Sequence, residues 1–363
     1  MQADNKKKIC LVIPSLHAGG MERVMSELTG YFSTKPELKI HLVLYGISPV
    51  VFYQIPDTII IHKPGFTFNN RYRLHYTLKT LFYLRKEIIR INPDTILSFG
   101  EYWNNFVLLS LLGLEFPVYV SDRCQPDKKL RGLHNILRKI LYKKTKGIIV
   151  QTEKALEIYK NIFPGARIYL IGNPIRRVDT NDNFNKENII LSVGRLIKSK
   201  NYDELIKVFV KLNAPDWKLI IVGGDALKQQ NLNSLKLLVK ELNAESKVIF
   251  TGYQKNVDNY YRRSKIFAFM SSSEGFPNVI GEALSAGLPV VAYDCVAGPS
   301  EMIIDGENGF LIPVFDNEMF KEKLQLLIDN EDIRRLMSEK AKESVNKFSI
   351  EVIGEKYLKL LLS

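Results

Sequence analysis

Short apolar runs alternate along this chain with segments whose apolar residues recur every three or four positions. In the first half the runs are Ile9–Ile13, Ile40–Tyr45, Thr95–Phe99, Val118–Ser121, Ile148–Gln151 and Ile168–Ile171. In the second half they are Ile189–Val193, Lys218–Val222, Val248–Thr251, Ile266–Met270 and Pro289–Ala292. Continuous apolar runs are what strands buried on both faces require. The intervening segments, such as Leu205, Ile206, Phe209, Val210 and Leu235, Leu238, Val239, Leu242, carry helical spacing. Strand–helix alternation predicts the α/β class, with doubly wound parallel sheets covered by helices on both faces. A polar stretch from Arg176 to Lys186 lacks any apolar period and reads as a linker. It separates a domain over 1–178 from one over 187–349, and 363 residues suit two domains of about 150 each. Two open sheets so joined are expected to face a central cleft, with ligands held outside the carboxyl ends of the strands.

Composition narrows the class. The longest apolar stretch, Phe106 to Leu114, is closed by Glu115 and falls short of the roughly 18 residues a spanning helix needs. Lys6, Lys7 and Lys8 precede an apolar run of five residues, too short for a secretory leader, whose core runs to about 7–15. Cys10, Cys124 and Cys295 form no C-x-x-C pattern, which favours a reducing cytoplasm over a disulfide framework or a structural zinc. The five histidines show no metal-ligand spacing, and His17 alone lies in a candidate loop. The net charge of +12 is uneven. Residues 1–178 hold 27 Lys+Arg against 13 Asp+Glu, whereas residues 179–363 hold 24 against 26. An anionic partner is therefore expected for the first half.

Two loops of the second half concentrate chemistry. After the run Ile266–Met270 comes Ser272-Ser273-Glu274-Gly275-Phe276-Pro277-Asn278-Val279-Ile280-Gly281-Glu282-Ala283. Pro277 suits the first turn of a helix ending near Gly287. The first N–H groups of that helix, near Asn278 to Ile280, would form an anion site at a strand's carboxyl end, flanked by the carboxylates of Glu274 and Glu282. After Ile189–Val193 comes Gly194-Arg195-Leu196-Ile197-Lys198-Ser199-Lys200. Arg195 and Lys200 can neutralise a diphosphate, one as a fork and one as a point charge. No Asp-x-Asp occurs, so a carboxylate-held divalent ion is not indicated.

Glu274-x7-Glu282 with Gly194-Arg195-x4-Lys200 upstream resembles glycosyltransferase family 4, retaining nucleotide-sugar enzymes of the two-domain GT-B fold. The segment Ser15 to Val24, Asn173-Pro174, Gly223-Gly224-Asp225 and Ala286 to Val291 fall in the family's order, and the resemblance spans nearly the whole chain. Its nearest likeness is to bacterial enzymes that build surface polysaccharides on lipid carriers. The resemblance assigns the donor diphosphate and leaving group to Arg195 and Lys200. It gives the ribose hydroxyls to Glu282 and the sugar hydroxyls to Glu274. Phe276, Pro277, Asn278 and Val279 become backbone N–H contacts to phosphate and sugar, Gly19 and Gly20 the close approach of the first loop, and Tyr253 the base. Many members carry a His after the strand corresponding to Val118–Ser121; here Arg123 stands in that place. An arginine cannot act as a base near neutral pH, so its implied role is to hold an anion or steady developing charge beside Glu274, Arg195 and Lys200. The helix 350–363 is expected to pack back on the first domain.

The basic half carries two charged segments. One runs from Phe66 through Arg71, Tyr72, Arg73 and Tyr76 to Arg85-Lys86. The other runs from Lys128, Lys129 and Arg131 through Arg138-Lys139 to Lys146, with Leu133, Ile136, Leu137, Ile140 and Leu141 at helical spacing. The second reads as a basic amphipathic helix for an acceptor or an anionic membrane surface. Nucleic acid is not indicated, since no ribonucleoprotein-type aromatic motif, zinc spacing or helix-turn-helix signal occurs. The resulting expectation is a cytoplasmic enzyme, peripheral on the inner membrane face. It would use a nucleotide sugar, a UDP-sugar first, with no cofactor or metal, and a lipid-linked saccharide acceptor. A catalytically silent partner subunit and a sugar-nucleotide epimerase of the same fold stay open as alternatives.

Overall fold

A computed structural model describes residues 6–46, 51–179, 185–226 and 229–363. Among the described residues thirteen strands form two sheets, and every strand pair in them is parallel. They are β1 (Lys7–Ile13), β2 (Leu38–Leu44), β3 (Ile60–His62), β4 (Thr95–Phe99), β5 (Val118–Ser121), β6 (Gly147–Val150), β7 (Ile168–Leu170), β8 (Ile189–Val193), β9 (Lys218–Val222), β10 (Val248–Gly252), β11 (Ile266–Phe269), β12 (Val290–Tyr293) and β13 (Gly309–Ile312). The first sheet has the order β3-β2-β1-β4-β5-β6-β7, the second β10-β9-β8-β11-β12-β13. In each, the order reverses beside the first strand, the topology that opens a ligand site at the carboxyl ends. Two strands, β3 and β13, are absent from the reading of apolar runs. Both are edge strands, of three and four residues, and β13 opens on a glycine.

The chain divides into two compact units, Met1–Pro174 with Ile350–Ser363, and Ile175–Ser349. The inner strands β4, β5, β6, β8, β11 and β12 are buried along their whole length, as parallel strands covered on both faces must be. Part of the polar stretch after Pro174 packs within the second unit. Ile175 and Val178 are buried, with N–H groups donating to Phe348 O (2.8 Å) and Ser285 Oγ (3.1 Å). The rest of that stretch runs into 180–184, outside the described residues.

The C-terminal helix Ile350–Leu361 belongs to the first unit. It lies so close to the helix Gly20–Ser33 that a Cβ at Gly354 would sit 2.3 Å from the Tyr31 ring. Its end is tied by Thr95 Oγ1 donating to Leu361 O at 2.6 Å.

Candidate active site

Glycine builds the floor of the site in the second unit. Three strands end side by side: Gly194 N–H donates to Val222 O (2.9 Å), Leu196 N–H to Gly224 O (2.9 Å), and Gly223 N–H to Gly252 O (3.0 Å). A Cβ on Gly223 would lie 1.9 Å from Gly194 O, so only glycine permits this backbone contact. Tyr253 follows, exposed at the end of β10.

The loops after β8 and β11 are cross-linked. Ser272 N–H donates to Ser199 O (2.9 Å), and Asn201, left-handed at φ 48°, donates from Nδ2 to Met270 O (2.8 Å). Lys200 Nζ lies 2.5 Å from Glu274 Oε1 and 4.9 Å from the centre of the Phe269 ring. Both partners of this ion pair are mostly buried, so it is far less screened than a surface pair. Arg195 differs. It is exposed and has no acidic partner among the described residues. The structure thus brings a mostly buried Lys–Glu pair and a solvated arginine to two adjoining strand ends.

The helix Asn278–Ser285 starts after Pro277 and stops at Gly287, which is left-handed at φ 71°. Its entry is fixed by Gly298, where a Cβ would fall 2.1 Å from Pro277 Cδ. The expected row of free N–H groups needs correction. Pro277 has no N–H to give. Asn278 and Ile280 spend theirs on Phe276 O (3.0 Å) and Pro277 O (2.9 Å), closing tight turns. Of the residues Asn278 to Ile280, Val279 is the one without such a turn bond among the described residues. Phe276 is buried, edge-on to Phe348.

Glu282 is 2% exposed, and Tyr261 Oη donates to its Oε2 at 3.0 Å. Tyr261 is itself fully buried, against Phe267 of β11. A buried carboxylate needs such donors to stay oriented. Sequence reasoning missed Tyr261, which lies 21 residues upstream on another helix with no local pattern linking it to Glu282.

In the first unit, Gly19 precedes the helix Gly20–Ser33 in an extended conformation. A Cβ there would sit 2.3 Å from the Glu22 carboxylate. Tyr53 Oη clamps the loop, accepting from Gly19 N–H (3.0 Å) and donating to Gly19 O (2.9 Å). Tyr53 is a second residue that no sequence pattern singled out.

Arg123 is held within the first unit. Its guanidinium donates to Asn173 Oδ1 and to Tyr357 Oη (2.9 Å), and stacks 3.6 Å from the centre of the Phe99 ring. Asp122 points inward. It accepts from Tyr142 Oη (2.5 Å), Tyr159 Oη and Asn104 Nδ2 (2.9 Å), with Arg138 Nη1 at 3.4 Å. Burial, reinforced by Glu101, pushes its carboxyl up to about 6 against the pull of Arg138 and the two tyrosines.

Arg138 corrects an expectation. At 3% exposed, enclosed by Asp122, Tyr159 and Phe163, it cannot touch an acceptor or a membrane. The helix Leu133–Leu141 instead exposes Leu133 (63%), Ile136 (57%) and Ile140 (54%) beside Lys139 and, just beyond its end, Lys143. An ordinary surface helix exposes its lysines in the same way but turns such apolar residues inward. Lys128, Lys129 and Arg131 are exposed on the loop before it. The helix Arg73–Ile91 adds a second exposed apolar row, Leu74, Leu78 and Phe82, at intervals of four. Both helices pack on the helix Glu101–Ser110. Among the described residues no helix is long and apolar enough to cross a membrane.

Residues 176–344 match the sequence model of the family described as Glycosyl transferases group 1. The chain is 30% identical over 375 residues, 98% of its length and all of its relative's, to a Campylobacter jejuni enzyme. That enzyme is named N-acetylgalactosamine-N,N'-diacetylbacillosaminyl-diphospho-undecaprenol 4-alpha-N-acetylgalactosaminyltransferase. It is 27% identical over 368 residues to the amylovoran biosynthesis glycosyltransferase AmsD of Erwinia amylovora, covering 98% of this chain and 99% of that one. Its fold matches the crystal structure of Anabaena HepE in complex with UDP and glucose. The TM-score is 0.80 at 17% identity, over 98% of this chain and 99% of that one. Two parallel doubly wound units and a full-length relative at this identity place the chain: it belongs to the group 1 glycosyltransferases and is a hexosyltransferase-type enzyme of the GT-B fold.

Proposed function

We propose that this enzyme moves a sugar, with retention of configuration, from a nucleoside diphosphate donor to a hydroxyl of a lipid-linked saccharide in bacterial glycan assembly. The donor is a UDP-sugar. The observation that carries this reading is the pair of cross-linked loops, with Lys200 on Glu274 and Arg195 exposed beside them. A diphosphate arriving there competes with Glu274 for Lys200. The carboxylate is then released toward the sugar hydroxyls, while Arg195 and Lys200 take the charge that grows on the leaving oxygen. Preorganised cations at a developing oxyanion are usually the largest catalytic contribution. The departing diphosphate oxygen accepts the acceptor's proton, so no side-chain base is required. Arg195 and Lys200 carry the neutralisation, and the reading asks for no metal ion or other cofactor. Glu282, oriented by Tyr261, faces the ribose hydroxyls; Phe276, Asn278 and Val279 line the phosphate and sugar; Tyr253 flanks the base; and Gly19 and Gly20 admit the donor to the first loop.

The HepE structure contains UDP, and the Campylobacter relative is named for an undecaprenyl-diphosphate substrate; both support the choice of donor and acceptor class. Two outward apolar rows with lysines and arginines beside them support a peripheral seat on an anionic bilayer, each cation adding about 1 kcal/mol of attraction. The reaction is tested by incubating the enzyme, with chelator, with UDP-sugars and undecaprenyl-diphosphate saccharides, and reading the anomeric configuration of the product by NMR. Transfer with the donor's configuration is expected. An inverted product overturns the retaining mechanism, and turnover confined to the free nucleotide sugar moves the reading to an epimerase. For the membrane seat, Leu133→Gln with Ile136→Gln and Ile140→Gln should abolish flotation with anionic vesicles; unchanged flotation removes this face from the account.

A further inference from the structure

The opposite end of the first sheet carries a cluster of cations and histidines that the proposed sugar transfer does not use. Beside the amino ends of β1 and β2, and along β3, an open groove of 340 Å³ is lined by Lys8, Lys39, His41, His62 and Arg90. That volume lies at the lower end of the roughly 300–1,000 Å³ that hold small molecules. Lys8 and Lys39 are direct neighbours in the β1–β2 register, like charges side by side, an arrangement that by itself costs stability. Lys8 Nζ is steadied by Ile91 O at 3.2 Å. Arg90 donates to Glu87 at the end of the helix Arg73–Ile91.

Behind the cations lies a fixed chain of hydrogen bonds. His62 Nδ1 is 2.5 Å from Glu87 Oε1, and His62 Nε2 is 2.9 Å from His41 Nδ1. A carboxylate can only accept, so His62 carries its proton on Nδ1. Burial lowers the His62 pKa below its ordinary 6.5, so the ring is neutral at pH 7.5; its Nε2 is then a lone pair, and His41 donates to it from Nδ1. That leaves His41 Nε2 as a bare acceptor. His41 is 7% exposed, and its Nε2 is buried without a hydrogen-bond partner among the described residues. Burial first, then the neighbouring His62, Lys39 and Lys8, lowers its pKa to about 4, which keeps the acceptor bare at neutral pH.

We propose that this groove is a second anion site, built for monohydrogen phosphate. Three cations meet the P–O⁻ oxygens, and the single P–OH donates to His41 Nε2. Sulfate has the same shape and charge but no proton, and would set an oxygen lone pair against the bare nitrogen. A buried acceptor left unmatched is the kind of contact by which proteins reject a close analogue. The site therefore prefers phosphate to sulfate, and it stands apart from the diphosphate contacts of Arg195 and Lys200.

Isothermal titration of the full chain with inorganic phosphate and with sulfate, at pH 7.5 and matched ionic strength, tests this. Phosphate should bind at least about tenfold more tightly than sulfate, and Lys39→Ala or Arg90→Ala should weaken it by about tenfold or more, charge-assisted bonds being lost. Arg195→Ala should leave it unchanged. His41→Phe should bring the two anions to equal affinity; should that buried change prevent folding, the Lys39 and Arg90 variants still decide. Equal binding of phosphate and sulfate by the natural chain overturns the proposal. So does loss of phosphate binding in Arg195→Ala rather than Arg90→Ala, which would place the anion at the donor loops.

Discussion

The loops after β5 and β8 leave equivalent places, each at the carboxyl end of an inner strand in a parallel sheet, and both are charged. They use that charge in opposite ways. After β5, Asp122 turns inward to two tyrosines, an asparagine and Arg138, and Arg123 is fastened to Asn173, Tyr357 and Phe99. The charges there are answered within the unit. After β8, Arg195 stays in solvent, and Lys200 holds a carboxylate that a stronger anion can displace. The first loop stabilises a fold, and the second keeps charge available to a ligand. What separates them is which groups lie within hydrogen-bond reach, and residue type alone does not report that.

Breaking the inward network should give the largest effect. Asp122→Ala leaves Arg138 buried without its anion, and should destabilise the first unit by about 3–5 kcal/mol in denaturant unfolding followed by hydrogen exchange. Arg195→Ala should do the reverse. Stability should stay within about 0.5 kcal/mol, while sugar transfer falls by roughly 10²–10³, about 2.7–4 kcal/mol of transition-state stabilisation. Equal effects of both variants on stability would erase the comparison.

The pH response sharpens it further. Asp122 titrates at about 6 in the folded chain, above its ordinary value of 3.8. A carboxyl raised by folding binds its proton more tightly in the native state. Its contribution to stability is therefore full below about pH 4 and is lost as pH rises through about 6, at no more than about 1.4 kcal/mol per pH unit. Unfolding midpoints between pH 4 and 7 should carry this slope in the natural chain and lose it in Asp122→Asn. The smallest effect is expected from Tyr261→Phe, which removes one hydrogen bond to Glu282. Nucleotide affinity should fall about fivefold, near 1 kcal/mol, as read by titration calorimetry, with the fold intact.

The strands were largely legible, because a parallel strand buried on both faces must be a nearly continuous apolar run, and runs such as Ile189–Val193 are apolar but for Ser192. β3 escaped because an edge strand of three part-exposed residues needs no such run. Lys200, Glu274 and Glu282 were legible as candidates from their places at strand and helix ends. Their partners were not: the Lys200–Glu274 ion pair joins two loops that carry separate motifs, and Tyr261 and Tyr53 likewise reach their targets only through the tertiary fold. Arg138 was readable in principle. It sits three and four positions before Leu141 and Tyr142, on the face that the helix buries. The wide apolar row of that helix hid this, since its outer residues, Leu133, Ile136 and Ile140, have the same spacing as a core stripe.

The central claim is that charge at the β8 and β11 loops is held ready for a nucleoside diphosphate. Titration of the natural chain and of Arg195→Ala with UDP, in the presence of chelator, tests it most directly. At 100 times its dissociation constant UDP should stabilise the natural chain by about 2.7 kcal/mol, and the same concentration should do markedly less for Arg195→Ala. Full-strength UDP binding by Arg195→Ala, or no binding by the natural chain, would contradict the account.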